Sequence, residues 1–357
     1  MTRNFYFLFL ISFGLCTSLF AQKIVWKTGL HSFFDNTEFR HSLVQNSQTM
    51  GGIHFAPEVG LDWKNGHRIL VGMNLLHELG SNKIIDYIDP VVYYEYENKG
   101  FRFYMGAVPR QLVLDKYPRM FFQDSIKNYR PTLNGFFWEH KQKENYANIW
   151  LDWTSRQTEK QHESFFMGWS GEYNQGIFYA RHFGYMFHFA GIMNPEIPEA
   201  VHDNGLLLTS FGINFAPKTG FEKLDLNAGW SIGLDRDRDI GVWNKPQGLL
   251  SELKVEYKGL GIFNTYYKGE SQQIFYNDHS NDLYWGDPVY RSTAYNRSDF
   301  YIYFIKTNIV KVKFIYSFHF TEGQVYHEQA FYATFDLSNF KNKKNEKRYK
   351  YLWDNWF

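Results

Sequence analysis

From Glu163 to Gly191 the chain reads ESFFMGWSGEYNQGIFYARHFGYMFHFAG, and Phe165, Met167, Trp169 and Tyr173 take alternate positions with Gly168, Ser170 and Glu172 between them. A period of two means an extended chain with one apolar and one polar face, because successive side chains of a strand point opposite ways. The run stops at Asn174-Gln175-Gly176, residues that tolerate the positive φ of a tight turn, and a second aromatic-rich run follows at once. The segment predicts a β-hairpin.

The same unit recurs along the chain. Leu224, Leu226, Ala228, Trp230, Ile232 and Leu234 alternate with Asp225, Asn227, Gly229, Ser231, Gly233 and Asp235. Tight turns at Lys64-Asn65-Gly66, Asn98-Lys99-Gly100 and Lys258-Gly259 take turns with longer polar loops. Two insertions stand out, Ala107 to Pro131 and Lys268 to Arg297. The pattern predicts about eight hairpins. Such strands exceed the usual ~5–6 residues and present large aromatics on one face, so that face is expected to meet lipid. Arg181 shares a face with Tyr179, Phe183 and Tyr185. A cation at mid-depth in lipid costs about 2–4 kcal/mol, so the face of Phe178, Ala180 and Met186 is expected outward, unless a bulge resets the alternation. The fold class that follows is all-β: a closed antiparallel transmembrane β-barrel of about sixteen strands, with short periplasmic turns and long external loops.

Composition sharpens this reading. Aromatic residues make up 20% of the chain while the mean hydropathy is −0.46, the combination expected of strands that are half polar and ringed by aromatic girdles. Residues 1–21 read as a secretory signal peptide, with Arg3, an apolar run and cleavage expected after Ala21. Cleavage removes Cys16, the single cysteine, so the mature chain holds together without a disulfide. Basic and acidic residues number 38 and 37, a balance that favours neither nucleic acid nor an anionic surface. The expected organisation is signal peptide 1–21, barrel 22–340 and a basic, aromatic segment 341–357. That segment is either a periplasmic tail after Phe340 or the final strand, ending on Phe357.

The signal peptide, the alternation of short turns with long loops and the terminal aromatic together resemble the bacterial outer-membrane porins. The resemblance implies residence in the outer membrane of a Gram-negative bacterium, contact with outer-membrane lipid and with the barrel-assembly machinery, and passage of small hydrophilic solutes. In the sixteen-stranded general porins the loop after the fifth strand folds inward to constrict the pore. Here that loop carries Arg110, Lys116, Arg119, Lys127 and Arg130 against Asp115 and Asp124, and an excess of base in a constriction favours anions. Residues expected on the lumen wall are Glu95, Glu97, Arg102, Asp152, Glu172, Glu252, Lys254, Glu256, Lys311 and Lys313.

Other chemistries find less in the sequence. His182, His188 and His319 with Ser170 or Ser317 supply the residue types of a hydrolase, but none sits in a recognisable motif. The expectation is therefore a channel with no catalytic residues, not an enzyme, with a sealed scaffold or binding barrel and an outer-membrane lipid hydrolase as alternatives. The oxygen-rich loops Asn277 to Asp282 and Asp235 to Asp239 lack the Gly and terminal Glu of a helix-loop-helix calcium site, so no metal and no cofactor is expected. Nothing resembles a nucleic-acid module, no nucleic acid is expected as a partner, and the oligomeric state is left open.

Overall fold

The computed structural model describes residues 22–340, except 64, 197 and 198, together with Tyr351. The expected signal peptide and almost all of the segment 341–357 lie outside the described residues. The strands are β1 (Lys23–Glu38), β2 (Gln48–Trp63), β3 (His67–Glu78), β4 (Tyr87–Asn98), β5 (Phe101–Pro109), β6 (Thr132–Gln142), β7 (Asn145–Ser155) and β8 (Ser164–Gln175). They continue with β9 (Phe178–Phe189), β10 (His202–Asn214), β11 (Lys223–Asp237), β12 (Gln247–Tyr257), β13 (Leu260–Gly269), β14 (Ala294–Lys306), β15 (Val310–Thr321) and β16 (Gln324–Ser338). Each pairs antiparallel with its neighbours in sequence, and β1 pairs with β16, Leu30 opposite Phe335. The sixteen-stranded closed barrel read from the pattern is the fold. Closure satisfies every ladder and leaves no sheet edge.

Tight turns join the strands at one end. At Lys99-Gly100 and Lys258-Gly259 both residues lie in the left-handed region, with φ of 41° and 92°, and of 50° and 88°. Two successive positive φ values match the twist of a hairpin, and glycine takes the second without steric cost. A similar turn, Glu322-Gly323, joins β15 to β16 at the opposite end, otherwise the end of long loops. Two strand ends differ from the expectation. β11 runs on through Arg236 to Asp237, into the stretch read as a loop, and β14 starts at Ala294, inside the insertion read as Lys268 to Arg297, because the alternation continues through polar residues there.

Alternate side chains face opposite ways around the ring. Leu226, Trp230 and Phe211 are among those more than half exposed on the outer face. Arg181 points inward, where its Nε donates to Glu172 at 2.5 Å. Phe178, Ala180 and Met186 therefore face out as expected, and the β8–β9 register runs without a bulge. The apolar row Ala147, Ile149, Leu151 and Trp153 of β7 also faces out, since Asp152 and Trp150 are fully buried on the other side.

Both insertions fold into the ring and pack on its wall. The first holds two short helices, α1 (Gln111–Leu114) and α2 (Asp124–Tyr129). Arg110 forms an ion pair with Asp152 of β7, and Arg119 bonds Asp299 of β14 at 3.1 Å. Between these anchors Tyr117 accepts from the Trp150 indole at 2.8 Å, and Phe121 and Phe122 pack on Tyr185 and Phe166. The second insertion carries α3 (Tyr276–His279), and Tyr284 donates to Asp235 of β11 at 2.5 Å. The two segments also bind each other, through Gln123 N–H to the Trp285 carbonyl at 2.8 Å and Asp287 N–H to the Arg119 carbonyl at 3.0 Å. Gly286 makes that contact possible: a Cβ there would lie 2.1 Å from the Met120 carbonyl oxygen. Tyr284, Trp285 and Tyr290 are 1–2% exposed, so these rings pack. A void of about 10 Å³ bordered by Met120, Tyr185, Asp235 and Tyr284 has room for one water at most.

Candidate functional site

All the residues expected on the lumen wall lie on inward-facing rows, mostly in ion pairs. Arg68 bonds Glu95 at 2.9 Å, Arg102 lies 3.6 Å from Glu97, Lys254 bonds Glu252 at 3.0 Å, and Lys223 lies 2.9 Å from Glu256, which Lys306 also contacts. Asp152 and Glu172 hold Arg110 and Arg181. Lys313 lies over the Tyr301 ring, and Lys311 shares its row. The five insertion bases are distributed across the lumen. Arg119 is shared by Asp124 and Asp299, Lys127 lies 3.5 Å from Asp124, Lys116 lies over the Tyr146 ring, and Arg130 lies over Trp285. The excess of base on this loop is thus offset by acids, several of them on the wall, which removes the simple argument for anion preference. Within the insertions Arg119 holds the Asp124 carboxyl far below its ordinary range, while burial pushes the Asp287 carboxyl up to about 6.

The residue types suited to hydrolysis divide between the two faces. Ser170, Ser317 and His319 point inward and are nearly or fully buried. Asn148 accepts from Ser170 at 3.0 Å, Arg297 donates to Ser317 at 3.2 Å, and His319 sits between Tyr295 and Glu328. These groups tie the wall together away from lipid. His182 faces out, but both ring nitrogens are engaged, by the Trp169 indole at 3.0 Å and Thr209 at 2.9 Å.

His188 differs. One register line crosses the outer face of four strands, Phe165 opposite His188, His188 opposite Asp203 and Asp203 opposite Arg236. Asp203 accepts from Arg236 at 2.5 and 3.2 Å and from Arg238, just past the end of β11, at 2.8 Å on each carboxylate oxygen. The Nδ1 atom of His188 is 3.6 Å from Asp203 and 3.5 Å from Arg238. These distances exceed a good hydrogen bond, so a small ring movement selects between donating to Asp203 and accepting from Arg238. The Phe165 ring lies 5.0 Å from His188 and 5.0 Å from Trp153, and the Arg236 guanidinium lies over Trp243. The Asp203 side chain is 9% exposed, His188 21% and Arg238 47%, so the cluster is open on one side.

Its level on the barrel follows from the alternation. Leu224 to Leu234 form an unbroken apolar row on β11, and Arg236 is the next outward position. Eleven residues of tilted strand cover about 25 Å, the height of the apolar band of a membrane barrel. The cluster thus sits where hydrocarbon ends, at the end of the long loops, beside a Trp153–Phe165 aromatic girdle. Sequence reading named His188 and missed Asp203, Arg236 and Arg238. The available signal was parity, since Arg236 falls on the same alternate positions as the leucines before it. Among the described residues no group of three or more metal-binding side chains comes together.

The fold has solved counterparts. OmpTdeltaL8, a loop L8 deletion mutant of the Vibrio cholerae outer membrane protein OmpT, superposes with a TM-score of 0.54 at 7% identity, covering 89% of this chain and 100% of that chain. The anion-selective porin from Comamonas acidovorans gives 0.55 at 10% identity, over 88% and 99%. Pseudomonas aeruginosa OccK11 gives 0.50 at 9%, over 89% and 96%. At such identities the likeness is one of fold; the closed barrel with its exposed apolar outer band is itself the architecture of a Gram-negative outer-membrane protein. No curated protein sequence matches the chain. Residues 21–349 match the family Lipid A 3'-O-deacylase-type, an enzyme family, which overturns the expectation that this chain is not an enzyme. Spanning nearly all of the barrel, that match makes the chain a member of the Lipid A 3'-O-deacylase-type family built on a porin-like sixteen-stranded fold.

Proposed function

We propose that this barrel hydrolyses an acyl ester of a lipid A-type lipid in the outer leaflet, with His188 and Asp203 as the reacting pair. The observation that carries the reading is the register line that sets a histidine beside a carboxylate on the lipid-facing side, where the apolar row stops. Ester linkages of a membrane lipid lie at that depth, between acyl chains and headgroup. With Nδ1–H directed to Asp203, the Nε2 atom of His188 takes a proton from water as that water attacks the acyl carbonyl. The same nitrogen returns the proton to the leaving sugar oxygen. The products are a free fatty acid and a lipid hydroxyl.

The channel reading draws on fold likeness alone, and the two insertions packed across the lumen weigh against it. The test is release of fatty acid from lipid A in mixed micelles by the refolded barrel, read by mass spectrometry. His188→Ala should slow release by about 10²-fold or more. Full activity in that variant removes His188 from the reaction, and no release by the unaltered protein contradicts hydrolysis.

A further inference from the structure

Two guanidinium groups side by side on the outer wall of a barrel repel each other, and an ion-pair tie between β10 and β11 needs only one of them. Asp203 resolves the repulsion. It binds Arg236 and Arg238 through the Nε and Nη2 edge of each, so both Nη1 groups are left without a protein partner among the described residues. The trio carries one net positive charge. The Arg236 guanidinium carbon lies 4.5 Å from the centre of the Trp243 ring, and Asp203, nearly buried, holds both groups. The result is a pair of cations oriented before any ligand arrives, and arginine forks match the tetrahedral oxygens of phosphate. The outward row of β11 directly below, Leu234, Ile232 and Trp230, offers an apolar track for chains attached to that phosphate.

We propose that Arg236 and Arg238 form a recognition site for the phosphate monoester of a lipid headgroup, held at the external rim beside His188. The inference deepens the hydrolase reading, on which it rests for the location of the substrate, by naming the group that anchors it. Arg236 and Arg238 grip the phosphate while the apolar row receives acyl chains, so the ester between the two is presented to the histidine.

The test separates binding from cleavage by using lipids with no ester. The full-length barrel in detergent is titrated with a dialkyl ether phosphatidic acid and with the matching dialkylglycerol, and bound lipid is counted by native mass spectrometry. The phosphate lipid should bind about tenfold tighter than the neutral one, the equivalent of one charge-assisted contact. Arg236→Gln and Arg238→Gln should each erase most of that difference, and Arg238→Lys should keep part of it. Each single variant leaves Asp203 one arginine, and heat-modifiable gel mobility reports that the barrel still forms. Equal binding of the two lipids overturns the site. Displacement of the phosphate lipid by comparable concentrations of inorganic phosphate overturns the assignment to a lipid and marks a free-anion site. A phosphate preference without any ester cleavage elsewhere supports this site while removing the hydrolase reading, and cleavage without the preference does the reverse.

Discussion

Asp203 is the residue on which the outer-rim cluster turns, because one carboxylate orients two guanidinium groups and faces a histidine. Replacing it with Asn removes the charge and keeps the shape. Asp203 is nearly buried and holds four charge-assisted hydrogen bonds, so the cost to stability should be about 1–3 kcal/mol, which a barrel of sixteen paired strands tolerates. Fatty-acid release should fall by about tenfold to a hundredfold, because His188 loses the partner that sets its tautomer. A folded Asp203→Asn variant with unchanged release would exclude that role. At this scale sequence reading went part of the way. Arg181 is expected inward because a lone cation on the lipid face is costly, and the structure supplies its partner, Glu172. His188 stands out as a residue type, but Arg236 and Arg238 fall in the stretch Asp235 to Asp239 that reads as a loop, because a strand crossing from hydrocarbon into headgroups changes composition without changing its alternation.

The two insertions are the elements that distinguish this barrel from an open ring, and they are held by buried polar contacts at three points of the wall: Asp152, Asp235 and Asp299. Asp152 is fully buried against an Arg110 that is almost so. Removing one member of such a pair strands the other charge, at a cost of about 3–5 kcal/mol, whereas replacing both by apolar groups is close to neutral. Asp152→Ala should therefore lower the urea midpoint followed by tryptophan fluorescence, and the double change Arg110→Met with Asp152→Leu should restore most of it. Recovery absent in the double variant would show that the pair is not what anchors the loop. Asp287 gives the same region a pH dependence. Burial raises its carboxyl to about 6, so the folded segment prefers the neutral form. Its contribution is complete below the unfolded value near ~4 and is lost as pH rises through about 6. Amide protection at Gln123, which donates to the Trp285 carbonyl across the two insertions, should weaken over that interval after correction for intrinsic exchange, and Asp287→Asn should flatten the change. The presence and position of both insertions were legible as breaks in the two-residue rhythm. Their inward path was not, because it depends on wall residues more than a hundred positions away, such as Asp299 for Arg119.

At the scale of the molecule the alternation of side chains carried the whole architecture, down to the closed ring of sixteen strands, because each strand must answer to lipid on one side and to polar groups on the other. The likeness to porins carried the expectation that the chain is not an enzyme, which the family match overturns, and a porin-like ring by itself says nothing about whether its interior conducts. With both insertions packed on the wall and on each other, the unaltered barrel should show no stepwise current in a planar bilayer, and a variant lacking residues 111–129 and 272–291 should conduct. Large steady pores from the unaltered protein would contradict the packing argument. The central claim is that the chemistry lies on the outside of the ring. Its most direct measurement is the mass of lipid A after incubation in vesicles containing the refolded barrel. Loss of a single ester-linked acyl chain, abolished by His188→Ala and unaffected by Ser317→Ala in the interior, is the predicted result. Unchanged lipid mass with the unaltered barrel, or loss that depends on Ser317 and not on His188, would contradict it.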